Sequence, residues 1–210
     1  MARPRDQARR RKQLVKATHE LVASKGMASV RLRDVAEHAG LTPGAVLYYY
    51  EGLDELFFAA YEGGIHRYCE DREEAIAGVE NPVAKLATAL RLGIPTGPAD
   101  IESRLLYEFE AVAFRSEACA QLMKDYVDRQ VEMYVHLLRD GVASGDFHIV
   151  GDERAAARVI VAMEDGHGPY VLTGQVTPAD AERLFMQHAA ALTGVPLRRL
   201  TASGRRLRPA

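Results

Sequence analysis

Apolar residues recur at steps of three and four along almost the whole chain, which is the spacing of helices that bury one face. The alternation of apolar and polar residues that indicates strands is nearly absent. The sequence therefore predicts an all-α protein of about nine helices. The predicted helices span residues 7–24, 32–39, 43–49, 53–79, 82–92, 100–115, 117–144, 152–172 and 179–192.

Charge is distributed unevenly along the chain. Residues 1–50 carry ten Lys/Arg and four Asp/Glu, whereas residues 51–194 carry twelve and twenty-five, and the last sixteen residues carry five Arg and no acid. A basic N-terminal region followed by an acidic one indicates a nucleic-acid contact that is confined to the N-terminal region. We predict a DNA-binding domain at 1–52, a helical effector-binding and dimerisation domain at 53–197, bridged to it by the helix that starts at 53, and a basic, disordered tail at 198–210.

Several classes of protein are disfavoured by what the sequence lacks. It has no run of eighteen uncharged apolar residues and no secretory signal, so we expect a cytoplasmic protein without a membrane span. Cys69 and Cys119 stand alone, as single thiols of a reducing compartment do. A Gly-rich phosphate loop, a GxSxG motif and a metal-ligand cluster are all missing, so neither an enzyme nor a cofactor or metal site is expected.

The most specific pattern lies between residues 35 and 46. Ala36 is small enough for two helices to cross closely, Gly40 can take the positive φ of a tight turn, and Val46 fills the angle between the helices. Val35, Ala39 and Leu41 supply the rest of a small core. This spacing is typical of a DNA-binding helix-turn-helix and favours it over a generic helical corner.

The second helix of this pair becomes the recognition helix. Its first turn is expected to enter the major groove, where Ala45 can meet a thymine methyl group. Of three consecutive tyrosines, two are expected to donate to phosphates and Tyr50 to turn inward, although a wholly buried aromatic cluster stays open. The predicted DNA-binding residues are Arg31, Arg33, Thr42, Pro43, Gly44, Ala45, Tyr48 and Tyr49.

Residues 10–56 resemble the DNA-binding domain of the TetR (tetracycline-repressor) family of bacterial transcription regulators. The resemblance rests on Val35-Ala36, Ala39-Gly40-Leu41-Thr42, Gly44-Ala45-Val46, Tyr48-Tyr49-Tyr50 and Leu56. It implies a homodimer. Its two N-terminal domains bind double-stranded DNA at a palindromic operator, and its helical C-terminal domain binds a small effector.

Two positions depart from the family pattern. Leu47 stands where the family usually has tyrosine, and Gly52-Leu53 stands where it usually has Ser/Asn-Lys. The missing lysine removes one phosphate contact, for which the N-terminus of the next helix or the RRRK run at 9–12 can compensate.

The resemblance also implies that the last two helices pair with their copies in a second subunit as a four-helix bundle. The residues expected on that face are Ala155, Val159, Ala162 and Met163 on one helix, and Ala181, Leu184, Phe185, His188 and Leu192 on the other. Pro169, within MEDGHGPYVL (163–172), should kink or break the first of these helices. This stretch is either a kink at the dimer interface or a pocket wall.

Glu108 lies beside the apolar face of its helix, and a partly buried carboxylate needs a partner. That partner is either an internal Arg or a cationic effector held by aromatic side chains. The predicted ligand-binding residues are Tyr107, Glu108, Phe114, Tyr126, Gln130, Tyr134, Glu164, His167 and Tyr170. The predicted function is a ligand-responsive regulator, a repressor released by a cationic or amphipathic small molecule. The alternatives are a helical protein-binding adaptor and a regulator that acts without an effector.

Overall fold

The structure is a computed structural model that describes residues 4–203. All regular structure in this range is helical, which confirms the predicted all-α class. One 3-10 turn spans Met27–Ser29. The helices are α1 Pro4–Lys25, α2 Leu32–His38, α3 Pro43–Leu47, α4 Leu53–Ala77, α5 Pro82–Leu92, α6 Ile101–Ala113, α7 Glu117–Ala143, α8 Glu153–Leu172, α9 Pro178–Thr193 and α10 Leu197–Ala202.

Side-chain caps explain where several helices begin. Thr42, Asn81 and Thr177 each accept a hydrogen bond from the backbone N–H three residues on, and a proline follows each of them at the first helical position. Proline costs nothing there because that N–H has no partner inside the helix. None of the described helices is long and apolar enough to cross a bilayer.

The chain divides into two compact units, and their limits differ from the predicted boundary between residues 52 and 53. The first unit comprises 1–67 and 104–123, and the second comprises 68–103 and 124–210. The first half of α4 belongs with α1 because His19 Nε2 lies 2.6 Å from the Ala60 carbonyl oxygen. Phe109 of α6 stacks on Tyr61 with ring centroids 4.9 Å apart, which brings part of α6 into the same unit.

The core of the second unit is built by α5, α7, α8, α9 and α10. Its largest fully buried apolar side chains are Leu86, Leu90, Tyr134, Leu138, Phe185, Met186 and Leu200. This core explains α10, which lies where a disordered tail was predicted from residue 198 onward. Leu200 is buried, and Arg91 donates to the carbonyl oxygens of Thr201 and Ser203 while pairing with Glu182 at 2.7 Å. The rest of the predicted tail, 204–210, lies outside the described residues.

The predicted break at Pro169 is absent, because α8 continues to Leu172. Proline removes one backbone donor, and at this position the loss falls on the carbonyl of Asp165 only one turn before the helix ends. The C-terminus is closed by Thr173, whose backbone N–H donates to the Pro169 carbonyl at 3.0 Å.

Candidate nucleic-acid interface and effector region

The turn between α2 and α3 has the predicted geometry. Gly40 has φ of 65°, in the left-handed region, and the N–H of Leu41 donates to the Ala36 carbonyl at 2.8 Å. Val35, Ala36 and Val46 are buried, so the two helices share a small apolar core. Thr42 Oγ1 accepts from the Ala45 N–H at 3.2 Å and fixes the start of α3. The predicted helix-turn-helix is confirmed.

One side of α3 is open to solvent. Thr42, Pro43 and Gly44 are exposed, and a Cβ added at Gly44 would meet no atom within 4 Å. Leu47 is 50% exposed and Tyr48 is 65% exposed, so the apolar side chain that replaces the family's tyrosine also faces outward. Ala45 is only half-buried. We call residues 42–45, 47 and 48 the exposed face of α3. The residues of its first turn are small, so this face can approach a DNA groove closely.

The three tyrosines divide as predicted. Tyr48 is exposed, Tyr49 is half-buried with its ring edge-on to that of Tyr48 at 5.1 Å, and Tyr50 is buried. The Tyr50 hydroxyl donates to the Arg11 carbonyl at 3.4 Å, and the Arg11 guanidinium lies over its ring at 4.9 Å. Gln7 Nε2 donates to the Tyr48 hydroxyl at 3.3 Å, so α1 orients an exposed phenol beside α3.

The two arginines of the first unit that were predicted to contact DNA differ in their surroundings. Arg31 is exposed and donates through Nη1 to the carbonyls of Ala28 and Val30, so its side chain braces the 3-10 turn before α2. Arg33, two residues further on, is also exposed. Lys25 donates to Asp34 at 2.6 Å, and this bond lowers the pKa of the Asp34 carboxyl.

The start of α4 has Leu53 where the family usually has lysine, and acidic residues flank it. The backbone N–H of Glu51 donates to Glu55 Oε2 at 2.5 Å. This N–H is therefore already satisfied by a carboxylate, and Asp54 and Glu55 lie in the first turn of α4.

A buried polar cluster lies in the second unit, centred on Arg72, which is 2% exposed. Its guanidinium donates to Glu164 Oε1 at 3.0 Å and Oε2 at 3.3 Å, and to the Ala89 carbonyl at 2.9 Å. The hydroxyls of Tyr68 and Tyr134 each accept from it at 3.0 Å, and Gln130 Oε1 accepts a further bond. Tyr134 in turn donates to Glu164. We call Tyr68, Arg72, Gln130, Tyr134 and Glu164 the Arg72 cluster.

The ionisation of the Arg72 cluster follows from its burial. Burial alone would lower the pKa of Arg72, but the carboxylate of Glu164 and the two phenols raise it well above its ordinary value. Burial raises the pKa of Tyr68 to about 12, so this phenol stays protonated. The cluster therefore contains one stable cation, paired with Glu164.

Glycine is required where α5 ends. A Cβ added at Gly93 would lie 1.9 Å from Glu164 Oε1 and 2.2 Å from its Cδ. The close approach of α5 to the Glu164 carboxylate thus depends on the absence of a side chain at this helix terminus.

Four predicted ligand residues meet in the second unit at or beside the Arg72 cluster. Gln130, Tyr134 and Glu164 are members of it, and the ring of Tyr126 lies 6.0 Å from that of Tyr68. His167 packs against Phe185 at 5.5 Å and Tyr170 at 6.3 Å, and Tyr170 is half-exposed.

The remaining three predicted ligand residues, Tyr107, Glu108 and Phe114, belong to the first unit. Phe114 is 87% exposed in the turn between α6 and α7. Among the described residues, Glu108 is bonded to the backbone rather than to an internal Arg, since its Oε2 accepts from the N–H of Met27 at 2.8 Å. That bond satisfies an N–H at the start of the 3-10 turn.

The internal Arg expected for Glu108 is found instead beside Glu164. Arg72 was missed because it lies in the charged stretch EDREEA (70–75). The signal was present, however, because Arg72 continues the buried stripe of Ile65, Cys69 and Ile76 at helical spacing. A charged residue at a core position of an amphipathic helix predicts a buried partner.

Asp165 follows Glu164 on α8 and was not singled out from the sequence. Its side chain is half-buried and, within residues 4–203, has no hydrogen bond or ion pair. Burial, and secondarily the charge of Glu164, raise the pKa of the Asp165 carboxyl to about 6, with Arg72 acting in the opposite direction.

The predicted dimer face is only partly available on the surface of one chain. Val159 is 63% exposed, and Ala155, Ala162 and His188 are exposed as well. Ala181 and Phe185 are instead buried in the core of the second unit, so their assignment to the dimer face is wrong. The helical period of α9 predicted them on the same face as Leu184 and His188. In the structure they lie on the side of α9 that faces α8 and α5, and they are therefore buried.

Comparison with known proteins agrees with this architecture. Residues 14–60 match the family model described as "Bacterial regulatory proteins, tetR family", and residues 82–194 match "BetI-type transcriptional repressor, C-terminal". The chain is 27% identical to the HTH-type transcriptional regulator PksA of Bacillus subtilis over 202 residues, which cover 89% of this chain and 91% of PksA.

Two solved structures share the fold. A TetR transcription regulator from Haloarcula marismortui superposes with a TM-score of 0.80 at 20% identity, covering 89% of this chain and 99% of its own. A transcriptional regulator from Saccharomonospora viridis, solved in complex with choline, superposes with a TM-score of 0.79 at 19% identity, covering 86% and 95%.

Proposed function

Because this chain belongs to the TetR family of transcription regulators, we propose that it is a repressor that binds a palindromic operator as a homodimer and is released by a small-molecule effector. Transcription regulators of this family are not enzymes. The observation that carries the proposal is the exposed face of α3, held by a buried turn core and fixed at its start by the Thr42 cap.

Direct contact with DNA is supported by the chemistry of that face. Gly44 permits close approach, Leu47 offers an apolar surface to thymine methyl groups and sugars, and Tyr48 carries a hydroxyl that can donate to phosphate. The basic residues of α1, of which Arg11 lies over the Tyr50 ring, and the exposed Arg33 supply the sequence-independent attraction.

Dimerisation is supported by the exposed apolar stripe of α8. Ala155, Val159, Ala162, Gly166 and Tyr170 recur at helical spacing and are all exposed. A palindromic operator read by two identical heads requires such a symmetric contact. Light scattering coupled to size exclusion should give a dimer, and Val159→Glu should give a monomer because it places charge on that stripe.

An effector response is supported by the buried polar Arg72 cluster of the second unit and by the choline bound to the Saccharomonospora neighbour. Choline and other small organic cations are therefore the first effectors to test. Fluorescence anisotropy with DNA from upstream of the chain's own gene should show salt-sensitive binding that is lost when Gly44→Val fills the open face of α3. A duplex affinity unchanged by salt and by that substitution would refute the proposal.

A further inference from the structure

Leu47 supplies the large aliphatic side chain on the outward side of α3. It is 50% exposed, and it lies four residues after Pro43 and three after Gly44, so the three residues share one face of the helix. Gly44 has no side chain, and a Cβ added there would meet no atom within 4 Å. The Leu47 side chain can therefore touch a surface that approaches this face without a side chain at position 44 in the way.

The same face is poor in groups that read base pairs by hydrogen bonding. Residues 42–48 include no Arg, Lys, Asn, Gln, Asp or Glu, the side chains that pair with the edges of guanine, adenine and cytosine. Thr42 Oγ1 already accepts from the Ala45 N–H at 3.2 Å, and the Tyr48 hydroxyl accepts from Gln7 Nε2 at 3.3 Å. Each hydroxyl keeps a single proton to donate. In the major groove, α3 must therefore distinguish bases largely by apolar contact.

The major groove presents one apolar group to such a contact, the C5-methyl group of thymine. Cytosine and uracil carry a hydrogen atom at C5, so they leave a leucine side chain without this partner. Covering one methyl group with an apolar side chain contributes about fourfold in affinity. Two symmetric half-sites of a homodimer would contribute about fifteenfold.

We propose that Leu47 determines specificity by contacting the C5-methyl group of one thymine in each half-site of the operator. The group that is recognised is the methyl group and not the hydrogen-bonding pattern of the base pair. 5-Methylcytosine, which carries the same group at the same place in the groove, should therefore replace thymine in part. The proposal rests on the proposed function and deepens it by naming the chemical group of the DNA that α3 reads.

The test uses a duplex obtained by in vitro selection from a random-sequence pool with the full chain. Each thymine of that duplex is replaced in turn by deoxyuridine, which keeps the hydrogen bonds of the base pair and lacks only the methyl group. Fluorescence anisotropy should find one thymine per half-site whose replacement weakens binding about fourfold, and about fifteenfold when both are replaced. At these positions 5-methylcytosine paired with guanine should bind about fourfold more tightly than cytosine paired with guanine.

The variant that tests the residue is Leu47→Ala. It should bind the thymine duplex as weakly as the parent binds the deoxyuridine duplex, and it should show no difference between the two. Its thermal unfolding should stay close to that of the parent, because the side chain is half-exposed. Two controls should keep the difference between thymine and deoxyuridine. They are Tyr48→Phe, which changes the neighbouring phenol, and Leu197→Ala, which shortens a partly exposed leucine of α10.

Three results would overturn the proposal. A preference for thymine over deoxyuridine that persists in Leu47→Ala would assign the methyl contact to another residue. An equal loss of affinity for both duplexes in Leu47→Ala would place the side chain against a deoxyribose, which carries no base information. The third is 5-methylcytosine bound no more tightly than cytosine.

Failure of this inference and failure of the proposed function give different results. A selected duplex that is bound in a salt-sensitive way, but with the same affinity after every replacement by deoxyuridine, rejects the role of Leu47 alone. If the pool yields no duplex with salt-sensitive affinity for the full chain, the proposed function itself is rejected.

Discussion

The helix-turn-helix and the Arg72 cluster both fix the packing of helices, but they do so with partners at very different distances along the chain. In the turn, Ala36, Gly40 and Val46 lie within eleven consecutive residues, and the contacts are apolar or backbone. In the cluster, Arg72 reaches Ala89, Gln130, Tyr134 and Glu164, which are 17 to 92 residues away, and each contact is made by its charged guanidinium. Local apolar spacing can be recognised in a sequence, whereas a buried ion pair exists only once the tertiary fold has formed.

The largest loss of stability is expected when one charge of the Arg72 cluster loses its ion-pair partner. Arg72→Met should lower the free energy of unfolding by about 3–5 kcal/mol, because it strands Glu164 in the core. Urea denaturation measures this value. The double variant Arg72→Met/Glu164→Leu should recover much of the loss, since neither charge is then buried.

The matched control for this substitution is the partly exposed pair of Arg129 and Glu73, whose side chains join α4 to α7 at 2.7 Å. Arg129→Met should cost about 0–1 kcal/mol. Equal losses in Arg72→Met and Arg129→Met would show that burial of the cluster has no special role.

The second prediction concerns Asp165 and asks how a half-buried carboxylate without an ion-pair partner affects stability. Its carboxyl has an ordinary pKa of 3.8 and a folded pKa of about 6, so between these values the folded state binds more protons than the unfolded state. Stability is therefore lost as the pH rises through this range. Asp165→Asn should be more stable than the parent by about 1–3 kcal/mol at pH 7.5, and the gain should vanish below about pH 4. A gain that persists at pH 3.5 would have to come from another cause.

In the turn the corresponding test concerns the backbone. Gly40→Ala should destabilise the protein by about 1–2 kcal/mol, because φ of 65° brings a Cβ close to a carbonyl oxygen even though the space around it is open. Gly44→Ala is the control in the adjacent helix and should leave stability equal or better, since alanine favours helix. Thermal unfolding measures the stability of both variants. A Gly40→Ala variant as stable as the parent would contradict the left-handed conformation of the turn at Gly40.

The smallest effect should come from a single hydroxyl. Tyr48→Phe should weaken duplex binding by about 0.5–1.5 kcal/mol and leave stability nearly unchanged, because it removes the one hydrogen bond that this exposed hydroxyl donates to phosphate. Tyr50→Phe alters the inward-facing ring and should leave duplex affinity unchanged. Anisotropy titrations of the two variants compare them, and a larger loss in Tyr50→Phe would reverse their proposed roles.

These differences also explain how far the sequence could lead. The helices and the turn were predicted closely because caps such as Thr42 and Asn81, and the glycine at 40, act on their own neighbours. The effector region was predicted only in part. Tyr134 and Glu164 could be chosen as candidates, but nothing near them in sequence identifies Arg72 as their partner.

The failures at Glu108 and at the dimer face have the same origin. The backbone N–H that satisfies Glu108 is 81 residues away, at Met27. Phe185 faces the core because α5 and α8 occupy that side of α9, which a helical period alone cannot decide. Which of two apolar faces turns inward is a property of the assembled unit.

The anchoring of α10 by Arg91 has a practical consequence for anyone who shortens or extends this protein. Stopping before residue 197 would remove Leu200 from the core of the second unit and would leave the Arg91 guanidinium without the two carbonyls it holds at Thr201 and Ser203. An affinity tag or fluorescent fusion at the carboxyl end therefore belongs after Ser203, with a spacer between them, and a trimmed version for crystallisation should keep that last turn.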